Sequence, residues 1–312
     1  MSSQAPGLAD TPTPPFVPVA AGAEHGPRRP RFTPTWAWAR NAVFIAILLF
    51  LTVLFIYPFL WALSASLKPR GYVFDNKLIP THWRFYNYVE IWHVAPVLHW
   101  FWNSFYIAVL ASVTMTFSSA LTAFAFAYFR FPGRNFLFGC VLSTMMLPAA
   151  VTMIPRYLIF RHVGLAESQY PLWVTNIFGF GFYIFLQRQF FLGIPRELFE
   201  AARMDGDNFF TMFWRIAVPL AKPALIVTGI FEFQASWTDL QNSLIYLHSD
   251  SSFTIPRGLY GLLSQFSPQT GGNGDYELIL AATILATLPL ILVFFLAQRY
   301  FIEGISLQGR KG

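Results

Sequence analysis

Polar and apolar positions along this 312-residue chain segregate on a long scale. Residues 41–67 hold no Asp, Glu, Lys or Arg, and their core reads AVFIAILLFLTVLFIYPFLWAL. Residues 91–129 are equally free of these charges, with a second span expected over about 104–128. Further charge-free stretches cover 135–155, 168–187 and 278–298. Residues 224–247 are apolar too, but contain Glu232 and Asp239. A helix needs about 20 apolar residues to cross ~30 Å of hydrocarbon. The pattern therefore predicts an all-α integral membrane protein with six transmembrane helices. Pro148 should kink the third near one end. Residues 1–36, rich in Pro, Ala, Gly and Thr without apolar periodicity, read as a disordered cytoplasmic tail. The six-helix domain is placed at 37–306 and a short C-terminal tail at 307–312.

Composition narrows the class further. Hydrophobic residues make up 55% of the chain and charged ones 12%, about half the ~25% of an average soluble domain. That excludes a soluble enzyme, a disordered chain and a secreted disulfide scaffold. Cys140, the single cysteine, rules out an intrachain disulfide and a cysteine zinc site. The net charge of +6 raises nucleic acid as a partner, but in a membrane chain basic residues belong in cytoplasmic loops. With both termini in the cytoplasm, fourteen Lys and Arg fall inside and seven outside. The expected location is the cytoplasmic membrane, multi-pass, with no nucleic-acid partner.

Motifs for an engine of its own are missing. The sequence holds no G-x-x-x-x-G-K-[ST] loop, no H-E-x-x-H and no G-x-S-x-G elbow. An intramembrane enzyme is a poor reading, so no catalytic residue, metal ligand or cofactor site is assigned. A transporter or channel component fits, with its energy supplied from elsewhere.

The longest inner segment, 188–223, reads RQFFLGIPRELFEAARMDGDNFFTMFWRIAVPLAKP from Arg188. Pro195 can open a helix, with Glu197 and Glu200 near the positive end of its dipole. Leu198, Phe199, Ala201 and Ala202 form a compact apolar patch. Gly206 can take positive φ and turn the chain. Asp207 or Asn208 can cap a second helix that Pro219 ends. The product is helix, glycine turn, helix, serving either as an interfacial amphipathic pair or as a docking element for a partner protein.

The spacing Glu200-Ala201-Ala202, three residues, Gly206, nine residues, Ile216, one residue, Val218, Pro219 resembles the E-A-A-x3-G-x9-I-x-L-P loop of ABC importer permeases, with Val218 in place of Leu. YPFLWALSASLKP from Tyr57, FWNSFYIAV from Phe101, FAYFRFPGRN from Phe126, MLPAAVTMIPRYLIFRHVGL from Met146 and the closing QRYFIEGISLQGRKG resemble one branch, the maltose-type carbohydrate importers. Over about 42–312 the chain looks like their six-helix second permease subunit. The resemblance implies the type I (MetI-like) ABC importer permease fold. It also implies a second permease subunit, an ABC ATPase dimer that binds ATP and Mg, an extracytoplasmic substrate-binding protein and a sugar substrate. Coupling to the ATPase would fall to Glu200, Ala201, Ala202, Asp205, Gly206, Ile216 and Pro219. Glu200 would be the polar contact, and Ala201 and Ala202 would permit close approach. The tail 307–312 resembles the segment that enters the ATPase dimer interface, although Glu303, Leu307 and Arg310 depart from it. The rival readings are a secondary transporter or channel acting alone, and an ABC permease for a non-sugar solute.

In the fifth span Glu232, Ser236, Asp239 and Ser243 recur at i, i+4, i+7 and i+11. On one continuous helix they share about 60° of arc and could line the translocation path or bond neighbouring helices. The family's Trp-Asn-acidic run is Trp237-Thr238-Asp239 here, without the Asn. In the second span Ala108, Ser112, Thr116 and Ala120 predict close helix packing.

Overall fold

A computed structural model describes residues 34–75, 77–266 and 274–308. Most of the expected disordered tail, 1–33, and residues 309–312 of the C-terminal tail lie outside the described residues. The chain divides into two compact units, Met1–Phe55 and Ile56–Gly312. The described part of the first is helical throughout, the opening turns of α1 (Pro34–Ser66).

In the second unit the order is α2 (Asn87–Val94), α3 (Val97–Tyr128), α4 (Arg134–Thr144), α5 (Ala149–His162), α6 (Gly181–Leu192), α7 (Arg196–Met204), α8 (Phe209–Met212), α9 (Val218–Leu220), α10 (Lys222–Trp237), α11 (Leu240–Tyr246), α12 (Ile255–Phe266) and α13 (Tyr276–Gln308). No strand occurs among the described residues. Three helices are long and apolar enough to cross a bilayer: α1 over Arg40–Ser66, α3, and α13 over Tyr276–Gln298. Three further candidates are bent pairs. α4 meets α5 at 96°, Val174–Leu192 meets α7 at 76°, and Phe209–Leu220 meets α10 at 80°. The expected count of six is reached only if each pair forms one span. The last helix also runs past 306, to Gln308.

The bends have local causes. The 96° turn falls at Pro148, whose extended backbone caps the start of α5. Pro148 has no amide to offer the Thr144 carbonyl four residues back and its ring crowds that carbonyl, and α4 stops at Thr144. The expected fourth span, 168–187, is α-helical only from Gly181 onward. It begins as 3₁₀ segments at Tyr170–Leu172 and Val174–Phe178, and Gly179 at φ +71° closes the second before α6 starts.

α3 is the central strut, with α10 and α6 as its most extensive neighbours. Ala108 and Ala120 on its small-residue stripe are buried, and the Ser112 hydroxyl donates to the Gly229 carbonyl of α10 at 2.6 Å. Small side chains let two backbones approach to hydrogen-bonding range, the packing role expected of that stripe. In the first turns of α3, Asn103 donates to the carbonyls of Ser251 and Phe253, and the Ser104 hydroxyl accepts the Ile255 amide at 2.8 Å. These bonds seat α12, an element the charge-gap pattern missed. Its buried face, Ile255, Gly258, Leu262 and Phe266, has helical spacing that sequence alone displays. Gly258 lies so close to Trp100 that a Cβ there would overlap the indole ring.

The segment after α1 folds back on that helix. Lys68 is buried, and its ammonium donates to Asp75 at 2.5 Å and to the Lys77 carbonyl at 2.7 Å. Asn87, also buried, donates to the carbonyls of Ser66 and Lys68. The Lys68 hydrogen bond and charge hold the Asp75 carboxyl below its ordinary value. Arg70 pairs with Asp275 at 2.9 Å, just before α13.

Candidate functional site

The 196–220 segment forms the helix–turn–helix that the sequence predicts. Pro195, extended at ψ 133°, precedes α7. At its far end the Asp207 amide donates to the Ala202 carbonyl at 3.0 Å, and Gly206 sits at φ +88°. A six-to-one bond closed by a left-handed glycine is a Schellman cap, which stops α7 and sets the direction of the next helix. Asn208, rather than Asp207, caps that helix, its side-chain oxygen accepting the Thr211 amide at 2.8 Å. Asp207 instead stands 3.7 Å from Arg215.

Pro219 does not end the second helix. The helical run continues from Phe209 to Leu220, and its middle, Phe213–Ala217, is π-helical. Pro219 has no amide to offer the Arg215 carbonyl four residues back. The wider turn, in which the Val218 amide reaches the Phe213 carbonyl, accommodates the proline within the run. The break comes two residues later, at Ala221, before α10.

α7 divides its residues between two faces. Phe199 and Ala202 are buried, at 4% and 8% exposure. Phe199 packs on Tyr128 and Phe124 at the end of α3, with ring centroids 5.0 and 5.9 Å apart. Met212, Phe213 and Ala217 complete this core, and Ile216 is half-buried against it. Glu200, Ala201, Asp205 and Gly206 are exposed, as is Pro219, and Met204 is 87% exposed. Of the two alanines expected to permit close approach, Ala201 is exposed and Ala202 is buried. Helical geometry turns consecutive residues ~100° apart, and here Ala202 faces the chain's own core.

The fifth span is corrected as well. Helix α10 stops at Trp237, and Asp239 is the N-cap of a separate helix, α11. Its carboxylate accepts the Asn242 amide at 3.0 Å and the Asn242 side chain at 2.6 Å. A short acidic side chain competes for nearby backbone donors and favours a cap over a helix interior. Glu232, Ser236, Asp239 and Ser243 therefore do not share one helical face. Glu232 accepts a 2.6 Å hydrogen bond from Asn176 on the 3₁₀ segment. Ser243 is buried, donating to the Asp239 carbonyl and accepting from Thr254. Ser236 is half-buried. Arg156 of α5 completes a polar chain, Arg156–Asn242–Asp239, that charge-gap counting did not reveal. Among the described residues no group of three or more His, Cys, Asp or Glu forms a metal-binding cluster.

Residues 116–306, which include both helices of the turn and the broken fifth span, match the family described as binding-protein-dependent transport system inner membrane component. The chain belongs to this family. The permease is 32% identical over 291 residues to the arabinooligosaccharides transport system permease protein AraQ of Bacillus subtilis, covering 90% of this chain and 99% of that protein. It is 27% identical over 267 residues to the diacetylchitobiose uptake system permease protein NgcG of Streptomyces coelicolor, covering 85% and 87%. A solved chain from a bacterial ABC transporter for import of the acidic polysaccharide alginate superposes with a TM-score of 0.75 at 24% identity. That match covers 88% of the permease and all of the solved chain. The structural likeness shows the ABC importer permease fold expected from the sequence.

Proposed function

We propose that this permease is one of two membrane subunits of an ATP-driven sugar importer, with six spans and both termini in the cytoplasm. The sugar assignment draws on its likeness to permeases named for arabinooligosaccharide and diacetylchitobiose uptake. A binding protein delivers solute to the outer face, as the family description implies. Separate ATPase subunits bind ATP and Mg, and the permease performs no chemistry on its solute. The six-span reading takes each bent pair as supplying one crossing, with α7 and 209–220 lying outside the bilayer.

The observation that carries the coupling role is the two-sided character of α7 within the 188–223 loop. Its inner face is seated on the end of α3, so a push on the helix reaches the span directly. Its outer face, with Glu200, Ala201 and Met204, has small, acidic and apolar groups free for a partner. Gly206 and the Schellman cap fix the angle between that face and the second helix. Ile216 and Pro219 support the seat from the second helix, and Asp205 borders the exposed turn. For the fifth span we propose that the break at Thr238–Asp239 places Asp239 and Ser236 beside the path, while Glu232 and Ser243 hold the break in shape.

The test is reconstitution of the permease with its sister subunit, an ABC ATPase and the binding protein in vesicles. Sugar uptake should require ATP and cease when the ATPase alone is left out. Uptake that persists on a sodium or proton gradient would instead favour a secondary transporter.

A further inference from the structure

The turn between α3 and α4 carries a basic cleft that the transport reading does not use. Arg130, Phe131, Gly133, Arg134, Asn135 and Phe136 line an open cavity of about 330 Å³. Arg130 is exposed and makes no hydrogen bond or ion pair among the described residues. Arg134 is half-buried, and one of its amino groups donates to the Phe129 carbonyl at 3.3 Å, which leaves the rest of its fork available. Arg188 stands behind this turn, bonded to the Phe126 carbonyl and lying 4.2 Å over the Phe138 ring. None of the three arginines lies within 4.0 Å of a carboxylate among the described residues. The sequence offers none locally, since no Asp or Glu occurs between Glu90 and Glu167.

We propose that this cleft binds the phosphate of an anionic phospholipid headgroup. A guanidinium presents a planar fork of donors that matches phosphate oxygens two at a time. Two such forks flank one cavity with no internal counter-ion. The position selects a lipid over a soluble anion. Only five residues, 129–133, join α3 to α4, so the arginines stay at the depth where two membrane helices end. Phe136 is 74% exposed and Phe131 also stands open beside them, giving an apolar wall next to a cationic floor. Basic pockets between membrane helices hold anionic headgroups for this reason. The inference needs only that the chain crosses a bilayer, and holds whether or not the transported solute is a sugar.

The experiment uses the full chain in neutral detergent micelles, with phosphatidylglycerol, phosphatidylcholine and inorganic phosphate as probes. Each arginine near a headgroup is worth about fivefold in affinity, so the pair should favour phosphatidylglycerol over phosphatidylcholine by about thirtyfold. The R130Q/R134Q variant should lose that preference, R130K/R134K should keep part of it, and R161Q should leave it unchanged. Equal binding of the two lipids by the unaltered chain would overturn the proposal, without relying on any variant to fold. So would a preference unchanged in R130Q/R134Q, or displacement of phosphatidylglycerol by an equal concentration of inorganic phosphate, which would identify a free-anion site.

Discussion

Gly206 shows how a single backbone angle sets the direction of a helix. At φ +88° an L side chain costs roughly 1–2 kcal/mol, yet a Cβ there would meet nothing within 4 Å. The penalty of substitution is therefore conformational and local, with no collision to propagate. Gly206→Val, whose β-branched side chain disfavours positive φ, should insert normally in the membrane, lose the ATPase on purification and abolish uptake. Gly206→Asn should retain most coupling, because Asn tolerates the left-handed region. Equal loss in both variants would show that the surface at 206, and not its backbone angle, is what matters. Elsewhere in the chain, Lys68 is 1% exposed and its bond to Asp75 lowers that carboxyl's pKa. A depressed acid contributes stability above its unfolded value and loses it as pH falls through the folded one. Amide protection factors in residues 67–75, corrected for intrinsic exchange, should therefore be steady at neutral pH and fall only below about pH 4, while Asp75→Asn lowers them at neutral pH. A fall already near pH 6 would point to a different group.

Among the elements, the fifth span departs most from its sequence pattern. Apolar periodicity runs without interruption through 224–247, because capping by Asp239 alters the backbone and not the hydropathy. The signal was present in one residue, an acid three positions before Asn242, but reading it requires knowing that Asp239 starts a helix. Glu232 likewise reads as a path residue from its charge alone. Only the fold brings Asn176 to it, from 56 positions away. Glu232→Gln keeps an acceptor for Asn176, so complex levels should match wild type. Glu232→Leu removes it and should destabilise the permease by about 1–3 kcal/mol, read as lower detergent-resistant complex. Equal complex levels in both would reduce the bond to a bystander. α12 tests packing in the same way. The Trp100 indole occupies the space a Cβ at 258 would need, so Gly258→Ala must displace the ring and cost about 1–3 kcal/mol. An unchanged melting temperature would contradict that seating.

For the molecule as a whole, the order of apolar segments and the E-A-A-x3-G spacing made the membrane class and the turn at Gly206 legible without coordinates. What stayed hidden was how sharply the chain bends at Pro148 and where the expected fourth and fifth spans break. Proline at 148, glycine at 179 and the cap at 239 each act on the backbone within a few residues, and hydropathy averages over such lengths. The sequence likewise could not divide α7 between its faces, because Ala201 and Ala202 are chemically identical and only the seat on Tyr128 and Phe124 separates them. That division is the basis of the central claim, that force from the ATPase enters through the outer face of α7 and passes through its inner face to α3. The direct measurement is cysteine cross-linking to the ATPase in membranes, in a Cys140→Ser background. Met204→Cys, on the exposed face, should cross-link in good yield and respond to ATP, and Ala202→Cys, on the buried face, should not. Cross-linking at 202 with none at 204, or none at either while the ATPase remains bound, would contradict the account.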